Sequence, residues 1–241
     1  MTLEGDVAVM AKDPVKFNPL GYHLSVFGTP GSEGVWAWRF EGHHVAFNMT
    51  IAGGTFIRGA PAFLGAIPAI VKDGPRKGLR VLGEDEDMGR RLAQSLTAAQ
   101  RTTAITGEKA PSEVFLSPEG IEKQGLKPFD PAGIGYAALS EAQKAQLKAL
   151  VVAYANRLRP ELAAQDLAKI DAVGWDKVSF SWMGSLEPGQ AHYYKVQGPT
   201  FIIEYDTANQ DANHVHSLWH DPAGFLGQDI LAEHYQLHHK K

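Results

Sequence analysis

The chain has 241 residues, 44% hydrophobic and 21% charged, with a net charge of −4 and no cysteine. That is apolar material enough for one sizeable core, without the clustered basic charge of a nucleic-acid surface. The lack of cysteine excludes disulfides, thiolate zinc sites, iron–sulfur clusters and a Cys nucleophile, so any metal must be held by His, Asp, Glu or backbone oxygen. No apolar run reaches the roughly 18 residues of a membrane-spanning helix, so no membrane partner is expected. Met1 to Pro19 has neither the basic start nor the apolar stretch of a secretory leader.

The predicted elements begin with β structure across residues 22–69. Tyr22 to Phe27 reads as a strand closed by Gly28-Thr29-Pro30-Gly31, and Val35 to Phe40 as a second. A third runs from His43 to Ile51 and turns at Gly53-Gly54 into Thr55 to Arg58. Residues 84–173 read as helical. Glu84 to Leu96 places acids at its start, and Thr97 to Gln100 has the form of a capping box. Ser140 to Gln143 repeats that form ahead of Leu147, Leu150, Val151, Tyr154 and Leu158, an amphipathic helix that Pro160 is expected to end. Glu161 to Val173 makes a further helix, and Lys109 to Gly135 is a Pro/Gly-rich connector. Residues 176–221 return to β: Lys177 to Trp182, His192 to Val196 after the turn Glu187-Pro188-Gly189-Gln190, and Thr200 to Tyr205. Phe225 to His239 reads as a closing helix. Strands, helices, strands and a helix argue for an α+β fold in one domain over 1–241, a largely antiparallel sheet with a central helical insertion and a C-terminal helix.

The chemistry concentrates in Asn213-His214-Val215-His216-Ser217-Leu218-Trp219-His220-Asp221, just after Glu204-Tyr205-Asp206. Two histidines one residue apart share a face only on extended backbone. On the third strand the same alternation sets His44, Ala46, Asn48 and Thr50 against Val45, Phe47, Met49 and Ile51, with His43 on the apolar side. His44, Glu204, His214 and His216 then make a nitrogen and oxygen donor set suited to Zn, Fe, Mn or Cu. Glu204 and Asp206 are the carboxylates available for acid–base work. The spacing resembles the His-x-His, Glu and distant His of cupins, although the cupin glycine signature is absent. His43, Asn48, Asn213, Trp182 and Trp219 are candidates to contact a small-molecule substrate, and Trp36 and Trp38 are further candidates to line a cleft for a sugar-like ligand. His234 and His238 share a helical face at the solvated basic end of the chain. No Gly-x-Ser-x-Gly elbow and no phosphate-binding loop is present.

Ser25-Val26-Phe27-Gly28, Trp38-Arg39-Phe40-Glu41-Gly42-His43-His44, Phe180-Ser181-Trp182-Met183-Gly184, Phe201 to Asp206 and Asn213 to Trp219 together resemble a bacterial family of unknown function, family 3500. The resemblance reaches from about Tyr22 to Tyr235. It implies the same site residues and a periplasmic or extracellular setting, since such proteins are often exported, with a cytoplasmic one as the alternative. It also implies a longer N-terminal helical segment, and Arg where His220 stands. The family name conveys no activity. Three readings follow from the residues. One is a metal-dependent enzyme, with metal-assisted hydrolysis of a small polar or sugar-like substrate ahead of Cu or Fe redox chemistry. The second is a non-catalytic protein that binds a small ligand. The third is a histidine cluster that only fixes strand register.

Overall fold

In the computed structural model, residues 12–13, 15, 18–58, 62–117, 131–209 and 212–222 are described. One sheet joins the first and last thirds of the chain. Its strands are β1 (His23–Phe27), β2 (Val35–Gly42), β3 (Val45–Ala52), β4 (Thr55–Arg58), β5 (Ala62–Ala66), β6 (Ile105–Gly107), β7 (Ile134–Gly135), β8 (Ser179–Gly184), β9 (His192–Gly198), β10 (Phe201–Asn209) and β11 (His214–His220). Their order is β1-β2-β3-β5-β11-β10-β9-β8-β6, with β4 beside β3 and β7 beside β8. All pairings are antiparallel except β6 with β8. The fold is α+β, as the sequence predicts. The strand that unites the halves, β5, falls inside the β segment predicted over 22–69, which assigned it no strand of its own beyond Arg58. Leu64 of β5 aligns with Val45 on one side and Ser217 on the other.

The helices are α1 (Gly83–Ser95), α2 (Ala98–Ala104), α3 (Glu141–Ala155) and α4 (Pro160–Val173). Thr97 and Ser140 form the two expected capping boxes, each hydroxyl accepting the N–H three residues on and each glutamine accepting the N–H of the cap. Pro160 does not end α3, which stops at Ala155. It occupies the first turn of α4, where its missing N–H costs no helical hydrogen bond. The C-terminal helix predicted over 225–239, with His234 and His238, lies outside the described residues. Among those described, no helix is long and apolar enough to cross a membrane.

The helices cover one face of the sheet. Leu92, Leu147, Leu150, Val151 and Tyr154 pack against Phe180, Trp182, Tyr194, Val196, Phe201, Ile203, Tyr205, Val215 and Trp219. Strand alternation selects this set, because Phe180 aligns with Val196, and Val196 with Ile203. Each fully buried aliphatic side chain contributes roughly 1.5–3 kcal/mol. Aromatic rings tile the face, with centroid separations of 4.8 Å for Trp182–His192, 5.3 Å for Tyr194–Tyr205 and 5.0 Å for Phe201–Trp219. Among its polar groups is one connected network. Ser217 donates to Tyr154 Oη at 2.8 Å, Tyr154 and Tyr194 share a hydrogen bond of 2.8 Å, and Arg157 pairs with Asp85. That network ties α1 and α3 to β9 and β11.

Candidate metal centre

The other face of the same strands is polar yet buried. It carries Ser179, Ser181, Lys195, Gln197, Glu204, Asp206, His216 and His220. His216 aligns with Asp206 on β10 and with Gly65 on β5. His214 enters from the start of β11, one alternation earlier.

His44 arrives from the β2–β3 hairpin. Gly42 pairs with Val45, so His43 and His44 form a two-residue turn and not the start of the third strand. This corrects the assignment of the two rings to opposite faces: they stack with centroids 4.1 Å apart, His43 exposed and His44 buried. Gly65 makes room for them. A Cβ there would stand 2.6 Å from His44 Cδ2 and 3.1 Å from His216 Cδ2, so the two rings rest against bare β5 backbone.

His44, His214 and His216 each bring a ring nitrogen within 4.8 Å of the others. His44 Nε2 lies 2.8 Å from His214 Nε2, and the His214 and His216 rings meet edge to face at 4.5 Å. Nitrogens held ~2.0–2.1 Å from a tetrahedral ion stand about 3.3 Å apart, and three ring nitrogens within 4.8 Å of one another make a group that could hold a cation. Burial, with repulsion from His43, His214 and His216 added, lowers the His44 pKa to about 2, so its ring is neutral and ready to ligate.

A second group, Glu113, Asp206 and His216, adjoins the first through His216. His216 Nδ1 lies 2.7 Å from Glu113 Oε1 and 3.5 Å from Asp206 Oδ1, with neither oxygen on the in-line N–H direction. Burial opposes charge on His216, but the two carboxylates outweigh it and raise its pKa to about 9. Asp206 is fully buried, and burial raises its own pKa. With Nδ1 turned to the carboxylates, Nε2 is the nitrogen left for an ion shared with His44 and His214.

Glu113 comes from the connector that the sequence reading left without a role. β6 lies parallel to β8 at the far edge of the sheet, and the chain then returns across the polar face. There Phe115 N–H donates to Glu204 Oε2 at 2.6 Å and Leu116 N–H to Glu204 Oε1 at 3.2 Å. Phe115 packs edge-on to Tyr193 at 5.2 Å, and Val114 is buried. Burial raises the Glu204 pKa to about 7, partly offset by these N–H donors.

The sequence-predicted residues separate accordingly. His44, His214 and His216 come together. Glu204 stands outside both ligand groups, its oxygens bonded to backbone N–H, which corrects its place as fourth ligand. Asp206 faces His216. Trp182 and Trp219 sit in the helix-side core, on the opposite face, and so do not line this site. Asn213 accepts the Ile70 N–H at 2.8 Å and thereby fixes the chain beyond β5 to the start of β11. Asn48 is half-buried on β3, aligned with Arg39. Trp36 and Trp38 line a cavity of about 810 Å³ with Phe47, Met49 and the start of α4, away from the histidines.

Glu113 is the residue that sequence reasoning missed. Its one signal is an acid directly before apolar Val114-Phe115-Leu116 inside a connector. A family model, "Protein of unknown function (DUF3500)", matches residues 2–228, and the chain belongs to that family. No curated protein and no solved structure matches the chain.

Proposed function

We propose that this protein is a metal-dependent hydrolase of a small polar substrate, with His44, His214 and His216 as the ligands. The observation that carries the reading is the convergence of three imidazoles from two hairpins remote in sequence, with two carboxylates on the far nitrogen of His216. Carboxylates behind a ligating histidine fix its tautomer and raise its basicity. Two carboxylate charges also balance a divalent ion held by three neutral rings, so the buried site tends to neutrality when loaded.

Three nitrogen donors with carboxylates behind them match catalytic zinc sites better than the two-histidine, one-carboxylate face of non-haem iron oxygenases. A divalent ion in such a set supplies Lewis acidity and lowers the pKa of a bound water to about 7. The chain's own residues do the rest. His216 is held by Asp206 and Glu113. Glu113, with 26% of its side chain exposed, is the carboxylate of the group that can exchange protons with solvent, whereas Asp206 is sealed at 0%. Glu113 therefore tunes the charge of His216 from across the ring and is not placed to take a proton from a water on the ion. Exposed His43, stacked on His44, stands at the solvent side, where a substrate would enter.

The test is an assay of protein loaded with Zn, Mn, Fe(II) or Cu on chromogenic esters, phosphoesters and glycosides. Hydrolysis of one class, removed by chelator and by His214→Ala, is expected. Oxygen consumption without hydrolysis would replace this reading with redox chemistry, and a loaded protein inert on every class would favour ligand binding alone.

A further inference from the structure

We infer that Glu204 is a positioning residue, whose carboxylate clamps residues 113–117 over the sheet and so delivers Glu113 to His216. The inference rests on the metal reading above. A fully buried carboxylate is costly unless its oxygens are bonded. Glu204 receives two consecutive backbone N–H groups, one on each oxygen, from Phe115 at 2.6 Å and Leu116 at 3.2 Å. Only a carboxylate accepts on both atoms. A glutamine would aim an NH2 at one of these donors, and an apolar side chain would leave both N–H groups unsatisfied.

The clamp and the centre are linked by register. Glu204 and Asp206 are two apart on β10 and share its polar face, and Asp206 aligns with His216. Glu113 lies two residues before Phe115, and Glu113 Oε1 also accepts the Val114 N–H at 3.0 Å. A Val114–Ser117 turn, closed at 3.2 Å, sets Phe115 and Leu116 so that both N–H groups face Glu204. Residues 113–117 are thus held at two points on one face, by Glu204 on β10 and through Glu113 at His216 on β11. Releasing the first point withdraws Glu113 from the second and leaves Asp206 where it is. Glu204 therefore acts on the ion only through Glu113.

A double-mutant cycle in zinc affinity isolates this coupling. Glu204→Gln is expected to weaken zinc about tenfold, the low end for the outer partners of a ligand. In a Glu113→Gln background the same change should cost less than about twofold, because Glu113 no longer contributes. An equal loss in both backgrounds would overturn the proposal and leave Glu204 a general structural residue, as would no loss in either. Phe115→Pro deletes the same bond from the other partner at a turn position that accepts proline, and Phe115→Ala controls for the lost ring. Weaker zinc binding in Phe115→Pro than in Phe115→Ala is expected, and this pair serves if Glu204→Gln does not fold. Amide exchange needs no metal: Phe115 and Leu116 should be protected in the parent and exposed in Glu204→Gln. Unprotected amides in the parent overturn the clamp itself. Protected amides in a parent that takes no zinc overturn the metal reading, and the coupling with it, while the clamp stands.

Discussion

The two faces of the central sheet use the same strands for opposite ends. On β10, Phe201, Ile203 and Tyr205 face the helices, whereas Glu204 and Asp206 face the candidate centre. Both faces are buried, so burial alone does not distinguish them. On the helix side the buried surface is largely apolar, and Ser217, Tyr154, Tyr194, Arg157 and Asp85 close on one another. On the site side the buried groups are carboxylates and imidazoles, and neither Asp206 oxygen receives an in-line hydrogen bond among the described residues. Such a face is expensive in stability, and that cost is expected where a site binds something.

The contrast can be broken from either side. The largest effect expected is on metal affinity. His214→Ala should weaken it by more than about 100-fold, beyond the 10–100-fold range of outer partners, with little change in the urea midpoint. A titration showing unchanged affinity would remove His214 from the ligand set. On the helix face, Leu147→Ala should lower stability by about 2–5 kcal/mol and leave metal affinity intact, since Leu147 is fully buried among apolar neighbours. Paired denaturation and titration data check both halves of that statement.

Gly65→Ala sharpens the comparison, because one methyl acts on the site face alone. Its Cβ would press on His44 and His216, so a metal affinity lower by about tenfold is expected, with about 1–3 kcal/mol of lost stability. Full affinity in this variant would mean that the rings are not held against β5.

The smallest effect is in the pH profile of metal-free protein. Burial lowers the pKa values of His192, beside Trp182 on the helix face, and His220 to about 4. Their folded-state values lie below the unfolded ones, so they contribute stability that is present above about pH 6.5 and lost as pH falls toward 4. His216 has the opposite sign. Its value is raised to about 9, so its contribution is complete below about pH 6.5 and fades as pH rises through 9. Denaturation across pH should show the acid limb flattened by His192→Gln and the alkaline limb flattened by His216→Gln. Reversed assignments would contradict the charge states given to His192 and His216.

The helix face was the legible one. Apolar periodicity and two capping boxes located α2 and α3, and strand alternation located β8 to β10. On the site face, His-x-His and the Gly-His-His segment marked three histidines that the fold brings together, because strand alternation and residue type suffice for a pair one residue apart. Three features were not legible. β5 is short and nearly featureless, and only its pairing with β3 and β11 brings His44 to His214. Glu113 reaches the site through backbone bonds to Glu204, and backbone N–H groups leave no mark in side-chain patterns. His43 and His44 read as strand because a two-residue turn without glycine resembles a continuing alternation.

The most direct test is elemental analysis of purified, untagged protein beside His44→Ala and His216→Ala. The account predicts about one divalent metal per chain in the parent and its loss in both variants, joining two hairpins that only the fold brings together. A parent that stays metal-free after reconstitution with Zn, Mn, Fe and Cu would contradict it.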